Sequence, residues 1–254
     1  MVTTPRPRRS LAGWLFLLLI ALLGWALTSG RIVVPDDWNP WAPLDVRATP
    51  SLFTAFKLYR ASSDRDACRA ALANADLRTA LLPDRATGPG CGFDNALRIE
   101  RTTVAIGEPF SLSCRSALSL ALWEHHVLQQ AAMTHLQSEV VRIEHLGSYA
   151  CRNIYGQDGR RRSQHATADA LDIAGFVLAD GRRVRLLAHW PMPESTADAA
   201  TLIGDDDQSL AKARFLRALR DGACRYFDAV LGPDYNAAHA DHFHFDRGPA
   251  RLCR

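Results

Sequence analysis

The sequence predicts an α+β fold, a small antiparallel sheet flanked by helices, with one N-terminal transmembrane helix ahead of it. Three observations predict it: an unbroken apolar run near the N-terminus, two long stretches of helical periodicity, and several short alternating segments punctuated by glycine and proline. With 254 residues, 48% hydrophobic and 22% charged, the chain suffices for one sizeable domain plus a helical extension, and wholesale disorder is excluded. The net charge of +3 comes partly from Arg6, Arg8 and Arg9, so no basic surplus argues for nucleic acid as a partner.

Leu11 to Leu27 is almost wholly apolar, with Trp14 and Trp25 near its ends, close to the roughly 20 residues a helix needs to cross a bilayer. The arginines before it put residues 1–9 in the cytoplasm, residues 10–30 in the inner membrane as a single-pass anchor, and everything after Gly30 in the periplasm. Small residues from Ala26 to Gly30 also allow a cleaved signal peptide, but the apolar run is longer than a usual signal core. Residues 31–50 carry Pro35, Pro40, Pro43 and Pro50 with Trp38 and Trp41, and read as an extended juxtamembrane linker whose tryptophans suit the membrane interface. Residues 51–254 then form the domain.

Within the domain, Ser51 to Leu82 reads as helical and stops at Pro83, and Asn95 to Ile106 alternates as a strand. Ser116 to Gln137 is the longest helix candidate and supplies the core. Val140 to Ile143 is a strand that leads into the loop Gly147 to Asn153. Leu171 to Leu178 and Arg182 to Leu187 form a hairpin around Asp180-Gly181. Ser209 to Leu231 is a second amphipathic helix that Gly222 interrupts, and Phe243 to Asp246 is a last short strand. All six cysteines lie beyond the anchor, which fits an oxidising compartment and up to three disulfides. Proximity suggests Cys68 with Cys91 and Cys224 with Cys253. No C-x-x-C pair is present, so a thioredoxin-type site and a cysteine-ligated zinc ribbon are disfavoured.

The nine histidines are unevenly spread. His239, His242 and His244 crowd together with Asp241 and Asp246, while His165 precedes Asp172 across the small residues Ala168 and Ala170. Two neutral imidazoles and one carboxylate are a common ligand set for catalytic zinc, which leaves the fourth position to water. On a strand, His242 and His244 share a face, whereas strict alternation puts Asp241 on the other.

These segments resemble a known family. Ser163-x-His165-x-x-Ala168-x-Ala170-x-Asp172, with Asp241-His242-Phe243-His244, is similar to the two metal motifs of the zinc metallopeptidase superfamily of lysostaphin, the D-Ala-D-Ala metallopeptidases and hedgehog domains. More closely, Gly147 to Asn153, Asp172 to Phe176, Leu231 to Asn236 and His239-x-Asp241-His242-Phe243-His244 resemble the bacterial extensin-like C-terminal domain family, over roughly Cys68 to Cys253. The resemblance implies that His165, Asp172 and His244 bind Zn2+ on the sheet. It implies that Asp241 acts as base or that His242 and His239 assist, that Arg152 binds a substrate carboxylate, and that Ser163, two before the first ligand and counted with Arg152 as substrate-binding, supports that ligand by a hydrogen bond. The D-Ala-D-Ala enzymes place glycine where this chain has Ala168 and glutamate where it has Asp241.

The remaining histidines, His125, His126, His135, His145 and His189, show no ligand spacing and read as structural or exposed. Asp246 reads as a cap or a support for the ligands. Asp205, Asp206 and Asp207 read as a solvated loop before a helix, and Arg160, Arg161 and Arg162 as an exposed loop able to attract an anionic polymer. Two functions follow from the resemblance: a zinc-dependent peptidase or amidase acting on peptidoglycan peptides, or a non-catalytic wall-binding or envelope-scaffold module that keeps zinc for stability. A fourth protein ligand such as His239 or His242 would favour the second.

Overall fold

A leucine-rich helix, α1 (Leu11–Thr28), opens the described part of the computed structural model, which covers residues 11–32, 34–190 and 206–254. Arg6, Arg8, Arg9 and Asp205 lie outside the described residues, as does the whole segment 1–9. Among the described residues no helix is long and apolar enough to cross a membrane. The 18 residues of α1 rise about 27 Å, a little short of the roughly 30 Å hydrocarbon core of a bilayer.

The segment expected to be an extended linker is packed instead. A 3₁₀ turn at Asp36–Trp38 is followed by Ala42, Leu44 and Val46, all buried. Alternation of these small and branched residues with Pro43 and Asp45 lets one side of an extended strand of chain enter the core. The first helical stretch is two helices, α2 (Thr54–Ser63) and α3 (Arg65–Ala73). Asp64 divides them, because its backbone is extended while its carboxylate accepts the Ala67 N–H and caps α3. Strand β1 (Arg78–Leu81) takes the end of the stretch that reads as helix in sequence. The hairpin β2 (Arg85–Gly88) and β3 (Cys91–Phe93) follows, then β4 (Ala96–Arg101) and β5 (Phe110–Ser113).

The longest helix candidate is α4 (Cys114–Trp123), a π-helical turn at Glu124–Leu128 and α5 (Gln129–Leu136). Every residue of α4 except Arg115 is buried, so this is the central helix. After β6 (Val140–Gly147) come β7 (Ala170–Leu178), β8 (Arg183–Arg185) and the short α6 (Leu186–His189). The second amphipathic helix, α7 (Asp206–Ala223), ends earlier than its periodicity suggests, and Val230 belongs to β9 (Ala229–Leu231). Gly222 is where α7 meets the π turn: a Cβ there would lie 2.3 Å from Cγ1 of Val127. Strands β10 (Phe243–Asp246) and β11 (Leu252–Cys253) close the chain.

The main sheet has the order β11-β9-β10-β7-β6, with β8 also paired to β7; β11 and β9 are parallel and the other pairs antiparallel. One face packs Phe176, Phe243 and Phe245 toward Trp123 and Phe215 of the helices. Three disulfides brace it: Cys68–Cys114, Cys91–Cys151 and Cys224–Cys253. The second expected pair is present, but Cys68 pairs with Cys114 and not with Cys91. Packing of α3 on the start of α4 decides this, and it leaves Cys91 to tie the β2–β3 hairpin to the loop after β6.

Candidate metal centre

Strands β7 and β10 place Asp172 and His244 directly opposite each other in antiparallel register. Cross-strand partners project to the same side of the sheet, so a carboxylate and an imidazole meet without any long-range adjustment. His165 arrives from the 3₁₀ turn Gln164–Thr167, which Ser163 caps. Ala168 reverses the chain after this turn with φ +56°, the left-handed conformation that glycine adopts freely and alanine at a cost of about 1 kcal/mol. Asp169 fixes the turn from behind, since its buried carboxylate accepts two bonds from Arg115 at 2.7 Å and one from Thr167 at 2.7 Å.

Three ligand atoms converge as a result. Nε2 of His165 lies 3.1 Å from Nδ1 of His244 and 3.1 Å from Oδ2 of Asp172, and Nδ1 of His244 lies 2.9 Å from Oδ1 of Asp172. The far nitrogen of each ring is occupied. Nδ1–H of His165 donates to the Ser148 carbonyl at 2.9 Å, and Nε2–H of His244 donates to Asp246 at 3.0 Å. Both lone pairs therefore face the carboxylate and each other, an arrangement of three acceptors that requires a cation or a proton between them. The edges are near the roughly 3.3 Å expected for ligands about 2.0–2.1 Å from a tetrahedral ion. The donor set and its outer hydrogen bonds fit a divalent metal.

Considering the protein's own charges alone, burial pushes the His244 imidazolium down, but Asp172 and Asp246 outweigh it and raise the group to about 9. Burial likewise pushes the Asp172 carboxyl up, yet hydrogen bonds from His165 and His244 hold it well below the ordinary carboxylate range. The centre is thus a strongly polarised knot beneath a cavity of about 520 Å³ whose walls include Arg152, Arg161, Tyr155 and Tyr235. A larger groove of about 980 Å³ contains none of the three ligands; among its charged groups Arg65 pairs with Asp84 and Asp94, Arg115 pairs with Asp169, and Arg85 lies over Phe93.

His242 and His239 stand beside the centre without joining it. Nε2 of His242 is 3.8 Å from Oδ1 of Asp172, and Nδ1–H of His242 donates to Asp241 at 2.7 Å. Asp241 therefore reaches the centre through His242, as its position before the strand requires. His239 donates its Nδ1–H to Asn236 at 2.8 Å, and Asn236 in turn donates to the Tyr155 hydroxyl. Burial, followed by the neighbouring His244 and His242, lowers the His239 imidazolium to about 4, so this ring is neutral. Among the described residues only His165, Asp172 and His244 form a group able to share one ion.

The other histidines lie apart from it; His126 donates to the Val46 carbonyl and His145 to the Glu108 carbonyl. Asp246 both supports His244 and accepts the Gly248 N–H. Arg162 bonds Pro89 and Asn153, while Arg152 and Arg161 pair with no carboxylate among the described residues. Asp206 and Asp207 begin α7. Ser148 stands in the Gly147 to Asn153 segment that carries the resemblance but acts through its carbonyl, which no side-chain type announces, and Tyr155 carries no signal, because its hydroxyl meets Asn236 from 81 positions away.

The family model described as extensin-like protein C-terminus matches residues 66–254, and the chain belongs to that family. No curated protein and no solved structure matches the chain.

Proposed function

We propose that this extensin-like protein is a zinc-dependent hydrolase, a peptidase or amidase that acts on peptidoglycan peptides in the periplasm and is held at the inner membrane by α1. The observation that carries the reading is the convergence of two imidazole lone pairs and one carboxylate at about 3 Å, with both outer ring nitrogens already bonded. A three-ligand set open to a cavity favours a catalytic over a structural ion. Three disulfides support an oxidising compartment. The described side chains of α1 before Ala26 are exposed, and Arg31 stacks 4.5 Å over Trp25 at its end, as a snorkelling cation would. A helix slightly shorter than the hydrocarbon core is accommodated by local thinning of the bilayer.

His165, Asp172 and His244 would hold the zinc, which when bound supplies a polarised water and a Lewis acid at the scissile carbonyl. His242, oriented by Asp241 at Nδ1, presents Nε2 to the cavity to take a proton from the attacking water and pass it to the leaving amine. Neutral His239, held by Asn236, lines the same wall and contributes a fixed dipole. Arg152 and Arg161 offer planar forks to a carboxylate of the wall peptide, while Ser163 keeps the His165 turn in place.

The test is metal analysis of the purified protein, wild type against His165→Ala, together with product analysis of digested peptidoglycan. Zinc bound by wild type and lost in the variant, with new peptide ends from wild type alone, is the expected result. Zinc retained without any wall product would replace the enzyme with a non-catalytic wall-binding module.

A further inference from the structure

We propose that a fixed apolar face made by Trp38, Trp41, Leu52, Phe56 and Tyr59 lies on the periplasmic surface of the lipid bilayer, so that the domain rests on the membrane and does not swing from a free tether. The proposal rests on the reading of α1 as an anchor.

The first support is chemical. Trp38, Trp41 and Tyr59 are 69%, 68% and 64% exposed and Leu52 is 91% exposed, a concentration of large apolar groups that a water-facing surface does not require. Phe56 and Tyr59 project from the outward side of α2, while Leu58 and Ala61 on its other side are buried in the core. The helix is therefore apolar on two sides, of which the fold uses one. Trp41 meets Phe56 edge to face at 5.5 Å, and the Arg60 guanidinium lies 5.1 Å over Trp41 and 5.9 Å over Phe56. Aromatic rings with an indole N–H or phenol, joined to a cation, are the groups that favour the headgroup layer, where one end is wet and phosphate is at hand.

The second support is the length of chain. Lys57 donates to the Asp36 carbonyl at 2.7 Å, Arg60 to the Trp41 carbonyl at 3.0 Å and His126 to the Val46 carbonyl at 2.8 Å, so the segment from Asp36 onward is bolted to α2 and to the π turn after α4. Only residues 29–35 separate the end of α1 from the first docked residue. Seven residues reach at most about 25 Å when fully extended. Trp38 and Trp41 follow that docking point by two and five residues, Lys57 of the same helix as Phe56 and Tyr59 bonds it, and Ile32 and Val34 on the way to it are themselves exposed. An anchored α1 thus keeps the first docked residue within about 25 Å of the helix end, close enough for the face to meet the bilayer surface.

The test uses the full chain with Trp14→Phe and Trp25→Phe, reconstituted in vesicles of phosphatidylethanolamine and phosphatidylglycerol that carry a nitroxide lipid labelled near the headgroup. The remaining tryptophans are then Trp38 and Trp41, buried Trp123, and Trp190 packed on Phe243. The expected result is flotation with the vesicles and quenching by the nitroxide lipid, lost when Trp38→Phe and Trp41→Phe are added, and lost again in Leu52→Glu/Tyr59→Glu with both tryptophans present. Protein that floats with the vesicles but is not quenched overturns the docking and leaves the anchor standing. Protein that fails to float overturns the anchor, and the docking with it.

Discussion

Two largely buried carboxyl groups, both pushed up by burial, end on opposite sides of the ordinary carboxylate range. Asp172, on the sheet, receives two imidazoles and is held far below the ordinary range. Glu124, in the π turn after α4, is pushed up from 4.5 to about 7 by desolvation that only threonine bonds oppose. Its Oε2 accepts from the N–H and hydroxyl of Thr103, while its Oε1 has no partner. Burial by itself does not make a charged site; the donors that the fold brings to the carboxylate decide whether charge is kept or given up. The sheet side concentrates charge under a cavity, and the helical side disposes of it inside the core.

The widest test of that contrast is Asp172→Asn. Removing the charge takes away one ligand, and the expected outcome is loss of bound metal and hydrolysis at background, measured by elemental analysis and peptide release. Metal retained at wild-type stoichiometry would break the comparison on the sheet side. Next is Asp169→Ala, which strips the turn bearing His165 of its ion pair with Arg115. Because Arg115 is part-exposed, the loss belongs at the low end of the range for broken buried pairs, about 3 kcal/mol in denaturant unfolding, with weaker metal binding alongside.

Glu124→Gln sharpens the other side. A carboxyl whose folded value lies above its unfolded value leaves stability intact below pH 4.5 and lowers it as pH rises through about 7. The loss builds between about pH 4.5 and 7 to roughly 3 kcal/mol and is constant above that, and the amide should remove it, so wild type and variant separate in melting temperature between pH 5 and 7. Parallel curves across that window would show that the π turn carries no ionisable strain. The smallest effect is expected of Asp246→Asn, which loosens His244 from behind and should weaken metal affinity about 10- to 100-fold by competition with a chelator.

Much of this contrast is legible in the chain and part of it is not. The cluster of His239, Asp241, His242 and His244, and the spacing of His165 from Asp172, mark the centre because ligand types are rare and local patterns preserve them. The strand register that sets His244 opposite Asp172 extends an alternation visible in Phe243 to Asp246. Glu124 gave no such warning. It sits in a helical run where a glutamate is ordinarily solvated, and only the packing of Gly222 against Val127 and the enclosure of the π turn make it buried. The linker misleads for a related reason, since four prolines describe an extended backbone correctly but cannot say that Leu44 and Val46 find a surface to cover.

The sequence by itself determined the α+β class, the residue types that meet at the centre and the even set of cysteines that pair, because these depend on side-chain chemistry and short-range periodicity. Tertiary structure alone decided that Cys68 joins Cys114, that Asp241 bonds His242 and not the three converging groups, and that the ring nitrogens turned outward are fixed by Ser148 and Asp246. Those facts are contacts between segments far apart in the chain. No local pattern encodes them, because they exist only once the sheet and helices have enclosed a common interior.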